Sequence, residues 1–196
     1  MSFDAIILSG GRGSRLGGVS KGGLIFEGRT LLSRAIDAVS GAERVVVVGP
    51  DAEGFPSVRE DPRFGGPAAA IGAGLTALGV TGAELVLVVA CDVPLLEGAV
   101  DALLAAGRPE TDGLIAVDSA GIRQLLLGVY RRASLDAAVA SHPVQNLSMR
   151  ALVSGLELST MTIADELVDD IDTPVDAASR GILLPQRTLA RSEETP

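Results

Sequence analysis

Leu8-Ser-Gly-Gly-Arg-Gly-Ser-Arg-Leu-Gly-Gly-Val-Ser-Lys21, directly after the apolar run Ala5-Ile6-Ile7-Leu8, is the stretch on which the reading of this chain turns. Its glycines let the backbone turn N–H groups toward a bound anion, and Arg12, Arg15 and Lys21 supply charge to neutralise phosphate. The spacing matches neither common glycine-loop fingerprint. Gly11-x-Gly13-x-x-Leu16 lacks the last glycine of the dinucleotide motif, and Gly18 is followed by Val19 where a P-loop would carry lysine. An anion site is nonetheless expected, because open α/β sheets bind ligands where strands deliver loops at their carboxyl ends.

Working outward, the composition sets the fold class. The 196 residues are 47% hydrophobic but only 3% aromatic, with no Trp, so the core is built from Val, Leu, Ile and Ala. That is the composition of strands buried on both faces between helices, an α/β sandwich. A single domain over residues 1–180 is expected, with a polar, mobile tail over 181–196. The net charge of −9 excludes a general nucleic-acid surface. One cysteine, Cys91, excludes an internal disulfide and a zinc cluster, and no membrane segment or targeting signal is read, so a cytoplasmic protein is expected.

The elements follow in order. Thr30 caps a helix through Val39, Arg44-Val-Val-Val-Val-Gly49 is a buried parallel strand, and Ser57–Glu60 is a short strand ending at Asp61-Pro62. Gly65-Gly66-Pro67 opens a helix to Leu78. Glu84-Leu-Val-Leu-Val-Val-Ala-Cys-Asp92 is the clearest buried strand, and it ends in a carboxylate facing the same crevice as the opening loop. Such a carboxylate suits Mg²⁺; the alternative is a cap on the helix expected over 95–106. Cys91 reads as a buried strand residue and His142 as a helix-terminal one. Strands are expected over 113–118, after Gly121, and over 156–163; helices over 134–139 and from Asn146; and an acidic turn over 169–176 before a short helix.

Four parts recur together: LSGGRGSRLGG-x-x-K at 8–21, Asp61 before a glycine-proline helix start, a strand ending in Asp92-Val-Pro-Leu, and Asp170-Ile-Asp-Thr-Pro174. In this order they resemble the molybdenum cofactor guanylyltransferases, within the MobA-like nucleotidyltransferases. The resemblance runs over about residues 4–180. It implies a three-layer α/β/α sandwich with a mostly parallel central sheet, of the nucleotide-diphospho-sugar transferase type. The implied reaction transfers GMP from GTP to the phosphate of molybdopterin, releasing pyrophosphate. Carried onto this sequence, the resemblance implies nucleotide contacts at Leu8, Ser9, Gly10, Gly11 and Asp61, phosphate contacts at Arg15 and Lys21, and Mg²⁺ on Asp92. Asp172 is a second candidate metal ligand, with Asp170 beside it. Arg15, Lys21 and Asp92 are the candidate catalytic residues, and molybdoenzymes or cofactor-delivery proteins the candidate partners.

The residues agree with that chemistry, since phosphoryl-type transfer needs positioning and charge neutralisation rather than a protein nucleophile. Gly10-Gly11 is the paired glycine of guanylyl members, where cytidylyl relatives commonly carry alanine at the position of Gly10, so GTP is preferred over CTP. Three positions depart from the family pattern: Ser20 stands where aspartate is common, Val48-Gly49 where some members have asparagine at the strand end, and aspartates stand in the late motif where some have asparagines. Rival readings are a cytidylyl or sugar-phosphate nucleotidyltransferase and a catalytically silent nucleotide-binding module. Arg123, Gln124, Ser148 and Arg150 are candidates for the acceptor side.

Overall fold

The structure is a computed structural model and describes residues 1–11, 16, 19–50, 54–80, 82–182 and 184. Apolar runs form the central sheet: β1 (Asp4–Leu8), β4 (Val45–Val48), β5 (Ser57–Val58), β6 (Leu85–Ala90), β7 (Gly113–Val117), β8 (Arg123–Arg131) and β9 (Leu158–Thr162), in the order β5-β4-β1-β6-β8-β7-β9. All neighbours pair in parallel except β8, which runs against both β6 and β7. A separate two-stranded ribbon, β2 (Ile25–Phe26) with β3 (Arg29–Thr30), closes the turn at Glu27-Gly28.

Period-two alternation divides each strand between two cores. Ala5, Ile7, Val47, Leu87 and Val89 pack under α1 (Leu31–Ala38) and α3 (Leu96–Ala105). Ile6, Leu8, Val46, Val48, Val86 and Val88 pack under α2 (Pro67–Leu78), α4 (Arg132–Ala140) and α5 (Met149–Leu152). The result is the three-layer sandwich with a mostly parallel sheet that the valine runs imply. Each fully buried Leu or Ile contributes about 1.5–3 kcal/mol, so the two cores carry the architecture.

The boundaries follow local chemistry. The Thr30 hydroxyl accepts the Ser33 N–H at 3.0 Å and caps α1 as its position suggests. β6 stops at Ala90, two residues short of the expected end, so Asp92 stands beyond the strand. α4 starts two residues before the expected Ser134, and Arg132 pairs with Asp136 one turn on at 3.0 Å. α5 is capped by Ser148, whose hydroxyl accepts the Ala151 N–H at 3.1 Å, while Asn146 takes a left-handed backbone conformation. A third cluster joins Leu16, Leu24, Leu31, Ile171, Ala177 of α6 (Pro174–Ser179) and Ile182. Packing thus continues to Ile182, inside the expected tail; residues 183 and 185–196 lie outside the described residues.

Candidate active site

β1 and β6 are parallel neighbours with Leu8 opposite Ala90, so their carboxyl ends deliver Ser9 and Cys91 side by side and Asp92 one step further. The Cys91 N–H donates to the Leu8 carbonyl at 3.0 Å, fixing that register past the strand end. Lys21 opens a tight turn, Lys21–Gly23, that leans on these ends. A Cβ at Gly22 would lie 2.6 Å from Ser9 Oγ, so a side chain there would require the Ser9 hydroxyl to move.

From that turn the Lys21 ammonium donates to Asp92 Oδ2 at 2.7 Å and also to Asp172 Oδ1. Asp172 comes from the loop before α6. The neighbouring Ile171 N–H donates to the Asp92 carbonyl at 2.9 Å, and the Asp172 and Thr173 N–H groups donate to Asp176 Oδ2 at 3.1 and 2.7 Å. Carboxylate oxygens of Asp92, Asp170 and Asp172 lie within 4.8 Å of one another.

Burial opposes the charge on Lys21, but Asp92 and then Asp172 outweigh it and hold the ammonium above its ordinary pKa. Asp170 is pushed up from the usual carboxylate range, first by desolvation and then by the negative charges of Asp92 and Asp172. Three converging hard oxygen donors suit a divalent cation such as Mg²⁺. Asp92 does not cap the next helix: α3 begins after Leu95, with no side-chain cap. Burial, and then Asp92, push the Cys91 thiol up to about 12, which leaves no thiolate nucleophile beside the cluster.

Beside the cluster a cleft of about 380 Å³ is lined by Leu8, Gly10, Gly11, Gly66, Pro67 and Asp92, with Val48, Glu60, Phe64, Ala70, Ala90 and Leu126 completing its walls. A second, of about 250 Å³, shares Gly10, Gly11, Glu60 and Phe64 and adds Ser20, Gly49 and Arg63 among its lining. Gly49 explains one departure from the family pattern. With φ +155, a Cβ there would stand 2.7 Å from the Ser9 carbonyl carbon and 2.9 Å from Gly10 N, so a side chain would collide with the opening loop. At Gly10 a Cβ would meet Gly49 Cα and the Val48 carbonyl at an ordinary 3.7 Å, so the chain's own packing does not demand glycine there.

The structure thus brings together Leu8, Ser9, Gly10, Gly11, Lys21, Asp92 and Asp172. Asp61 is exposed and lines another groove, along α2 with Thr76 and Val139, while the adjacent Glu60 lines both clefts. Arg12 and Arg15 lie outside the described residues. On the acceptor side, Arg123 and Arg150 border a groove of about 490 Å³ with Gly121, Ile122 and Leu125; Ser148 is occupied as the α5 cap. His142 Nδ1 stands 2.9 Å from the Ala138 carbonyl, the helix-terminal role its position suggests.

Sequence reasoning missed Glu60, Phe64, Leu126 and the structural role of Gly49. Phe64 carried the one available signal, an aromatic residue beside a glycine-proline helix start in a chain with four Phe and one Tyr. Leu126 reaches the cleft because β8 bulges. Ile115 pairs with Gly128 but Ala116 with Gln124, and the buried Tyr130 hydroxyl donates to the Leu125 carbonyl at 2.7 Å across the bulge.

Residues 5–159 match the MobA-like NTP transferase domain. The chain belongs to the MobA-like NTP transferase family. The matched segment of the family domain holds the glycine turn, Lys21 and Asp92 and ends before Asp170 and Asp172. Within the family, a molybdenum cofactor guanylyltransferase of Shewanella sp. (strain MR-4) is 33% identical over 150 residues, 72% of this chain and 74% of the relative. The fold is shared with molybdopterin-guanine dinucleotide biosynthesis protein A from Archaeoglobus fulgidus, with a TM-score of 0.68 at 21% identity over 90% of this chain and 96% of that one. It is shared equally with 2-C-methyl-D-erythritol 4-phosphate cytidylyltransferase from Thermus thermophilus, with a TM-score of 0.67 at 20% identity over 92% and 97%. Among the described residues, no helix is long and apolar enough to cross a membrane.

Proposed function

We propose that the chain transfers GMP from GTP to the phosphate of molybdopterin, releasing pyrophosphate and forming molybdopterin guanine dinucleotide. The observation that carries this reading is Lys21 bound between Asp92 and Asp172 at the joined ends of β1 and β6, beside the Gly10-Gly11 cleft. The guanylyltransferases among its family relatives support the choice of base and acceptor.

An acceptor phosphate oxygen attacks the α-phosphorus, the bond from that phosphorus to the bridging oxygen breaks, and the electron pair leaves with pyrophosphate. The Gly10-Gly11 backbone admits the nucleotide, and Lys21 with Arg15 offsets the charge that grows on the departing phosphates. Asp92 and Asp172, with Asp170 beside them, would hold Mg²⁺. When bound, the ion supplies charge neutralisation on phosphate oxygens that lysine alone cannot match. The protein's own share is to hold these groups in place, and among the described residues no Ser–His or Cys–His pair stands at the cluster. We place the reaction in the cytoplasm, with molybdoenzymes or cofactor-delivery proteins as recipients of the product.

Pyrophosphate release with molybdopterin, Mg²⁺ and each of GTP, CTP and ATP tests this reading. GTP is expected to be fastest and chelation of the metal to stop release. Fastest release with CTP would replace the reading with a cytidylyl transfer. GTP binding with no release would leave a nucleotide-binding module.

A further inference from the structure

Among the described residues the two clefts meet at four, of which Glu60 and Phe64 carry functional side chains while Gly10 and Gly11 offer backbone alone. Phe64 is 52% exposed in a chain that is 3% aromatic and has no Trp. Its φ of +64 lies in the left-handed region, which bulky side chains seldom enter. The surrounding residues impose that conformation. Glu60 Oε1 accepts the Phe64 N–H at 3.0 Å, and the Asn146 N–H donates to the Gly65 carbonyl at 2.6 Å. Arg59 Nε donates to the Gly49 carbonyl at 3.1 Å, tying the strand before this turn to the glycine that packs against Ser9 and Gly10. A half-exposed ring held at positive φ where the two clefts join stands in position to touch a bound ligand.

We propose that the Glu60–Phe64 turn is the base-reading element of the nucleotide site. The Phe64 ring stacks on the purine, and the Glu60 carboxylate accepts hydrogen bonds from its N1–H and exocyclic N2–H₂ groups. This inference rests on the nucleotidyl-transfer reading and deepens it. Stacking supplies affinity without choice, because every base has a π face. Choice comes from the carboxylate. When ionised it only accepts, so it matches the two adjacent donors of the guanine edge and opposes the ring-nitrogen acceptor that adenine and cytosine present there. One Glu60 oxygen holds the Phe64 N–H, so the groups that stack and select are locked together in one turn.

Titration calorimetry of the full chain with GTP, ATP and inorganic tripolyphosphate, each with Mg²⁺, separates base from phosphate. Phe64→Asn retains a residue that tolerates the left-handed conformation and removes the ring. It is expected to weaken GTP binding by about tenfold or more with tripolyphosphate binding unchanged, and Phe64→Tyr to restore GTP. Glu60→Gln retains an acceptor for the Phe64 N–H and removes the charge; it is expected to cost about tenfold on GTP and to collapse the preference over ATP. Wild-type GTP affinity in Phe64→Asn, or an equal loss for tripolyphosphate, would overturn the stacking role. An intact GTP-over-ATP ratio in Glu60→Gln would overturn the selective one. If the wild-type chain bound neither nucleotide nor tripolyphosphate, the nucleotidyl-transfer reading itself would fall.

Discussion

Lys21 and Asp172 reach the same ion-paired centre from loops held in place by opposite means. On the Lys21 side the chain is positioned by missing atoms: Gly49 lies against the Ser9–Gly10 backbone at distances no side chain allows, and Gly22 lies close against the Ser9 hydroxyl. On the Asp172 side it is positioned by added acceptors. Asp176 Oδ2 takes two backbone N–H groups, the Thr173 hydroxyl accepts the Asp176 N–H at 3.2 Å, and Arg180 pairs with Asp169 at 2.8 Å. Steric exclusion is short-ranged and steep, so the first arm has one geometry or none. Hydrogen bonds lengthen gradually and exchange with water, so the second arm can loosen by degrees.

The largest effect is expected where the arms meet. Asp92→Ala removes one of the two partners of Lys21 and one proposed metal ligand together, and Lys21→Ala removes the cation; each should lower kcat by about 10²–10³-fold or more. Thermal unfolding of both variants should still be cooperative, because the two cores do not depend on this pair. Pyrophosphate release measured beside a melting curve checks this, and activity within tenfold of wild type in Asp92→Ala would remove the centre from the chemistry.

Gly49→Val attacks the steric arm alone. Its side chain has to displace Ser9 and Gly10, an overpacking cost of about 1–3 kcal/mol. For a chain of this size the melting temperature should fall by about 2–4 °C for each kcal/mol lost. Because the displaced residues border the clefts, GTP affinity should fall with it, and Gly79→Val, where nothing lies within 4 Å of a Cβ, separates backbone strain from collision. Unchanged GTP binding in a destabilised Gly49→Val would show that the arm yields away from the nucleotide.

The same contrast explains what the sequence disclosed. Runs such as Val45–Val48 and Leu85–Ala90 announce strands buried on both faces, and residue types with local jobs, Thr30 as a cap and Pro67 in a first helical turn, announce boundaries. Strand direction left no such mark. A buried run reads the same whether its neighbour is parallel or not, so the reversal of β8 and its bulge at Leu125–Leu127 emerge only from the register. Within the site, Asp92 stood out as a carboxylate ending an apolar run and Lys21 as a cation in a glycine-rich loop, whereas Asp172, in an acidic turn, was pointed to only by the family resemblance. Gly49 was not legible, since the atoms it must avoid belong to residues 40 positions away. That Glu60 reaches the two clefts and Asp61 does not was closed to sequence for a related reason: both carboxylates line the α2 groove, and nothing local marks which extends further.

The smallest expected effect tests the hydrogen-bonded arm by pH. The Thr173 hydroxyl, then the Thr173 and Asp172 N–H groups, hold the Asp176 carboxyl below the usual carboxylate range, so the folded state favours its ionised form. A depressed carboxylate pKa contributes stability that is complete above the unfolded value of about 4 and disappears as pH falls through the folded one. Asp176→Asn keeps an oxygen acceptor and loses the charge, so it should melt slightly below wild type at pH 7. The gap should narrow below about pH 4 and close in stronger acid, where the wild-type carboxyl is itself neutral. Thr173→Ala removes the cap, at about 1 kcal/mol, and with it the hydroxyl that most depresses the Asp176 carboxyl, so its gap to wild type should likewise narrow in acid. Melting curves of the three chains over this range check the arm, and a gap between wild type and Asp176→Asn that stayed constant into acid would mean that the charge on Asp176 does not hold it.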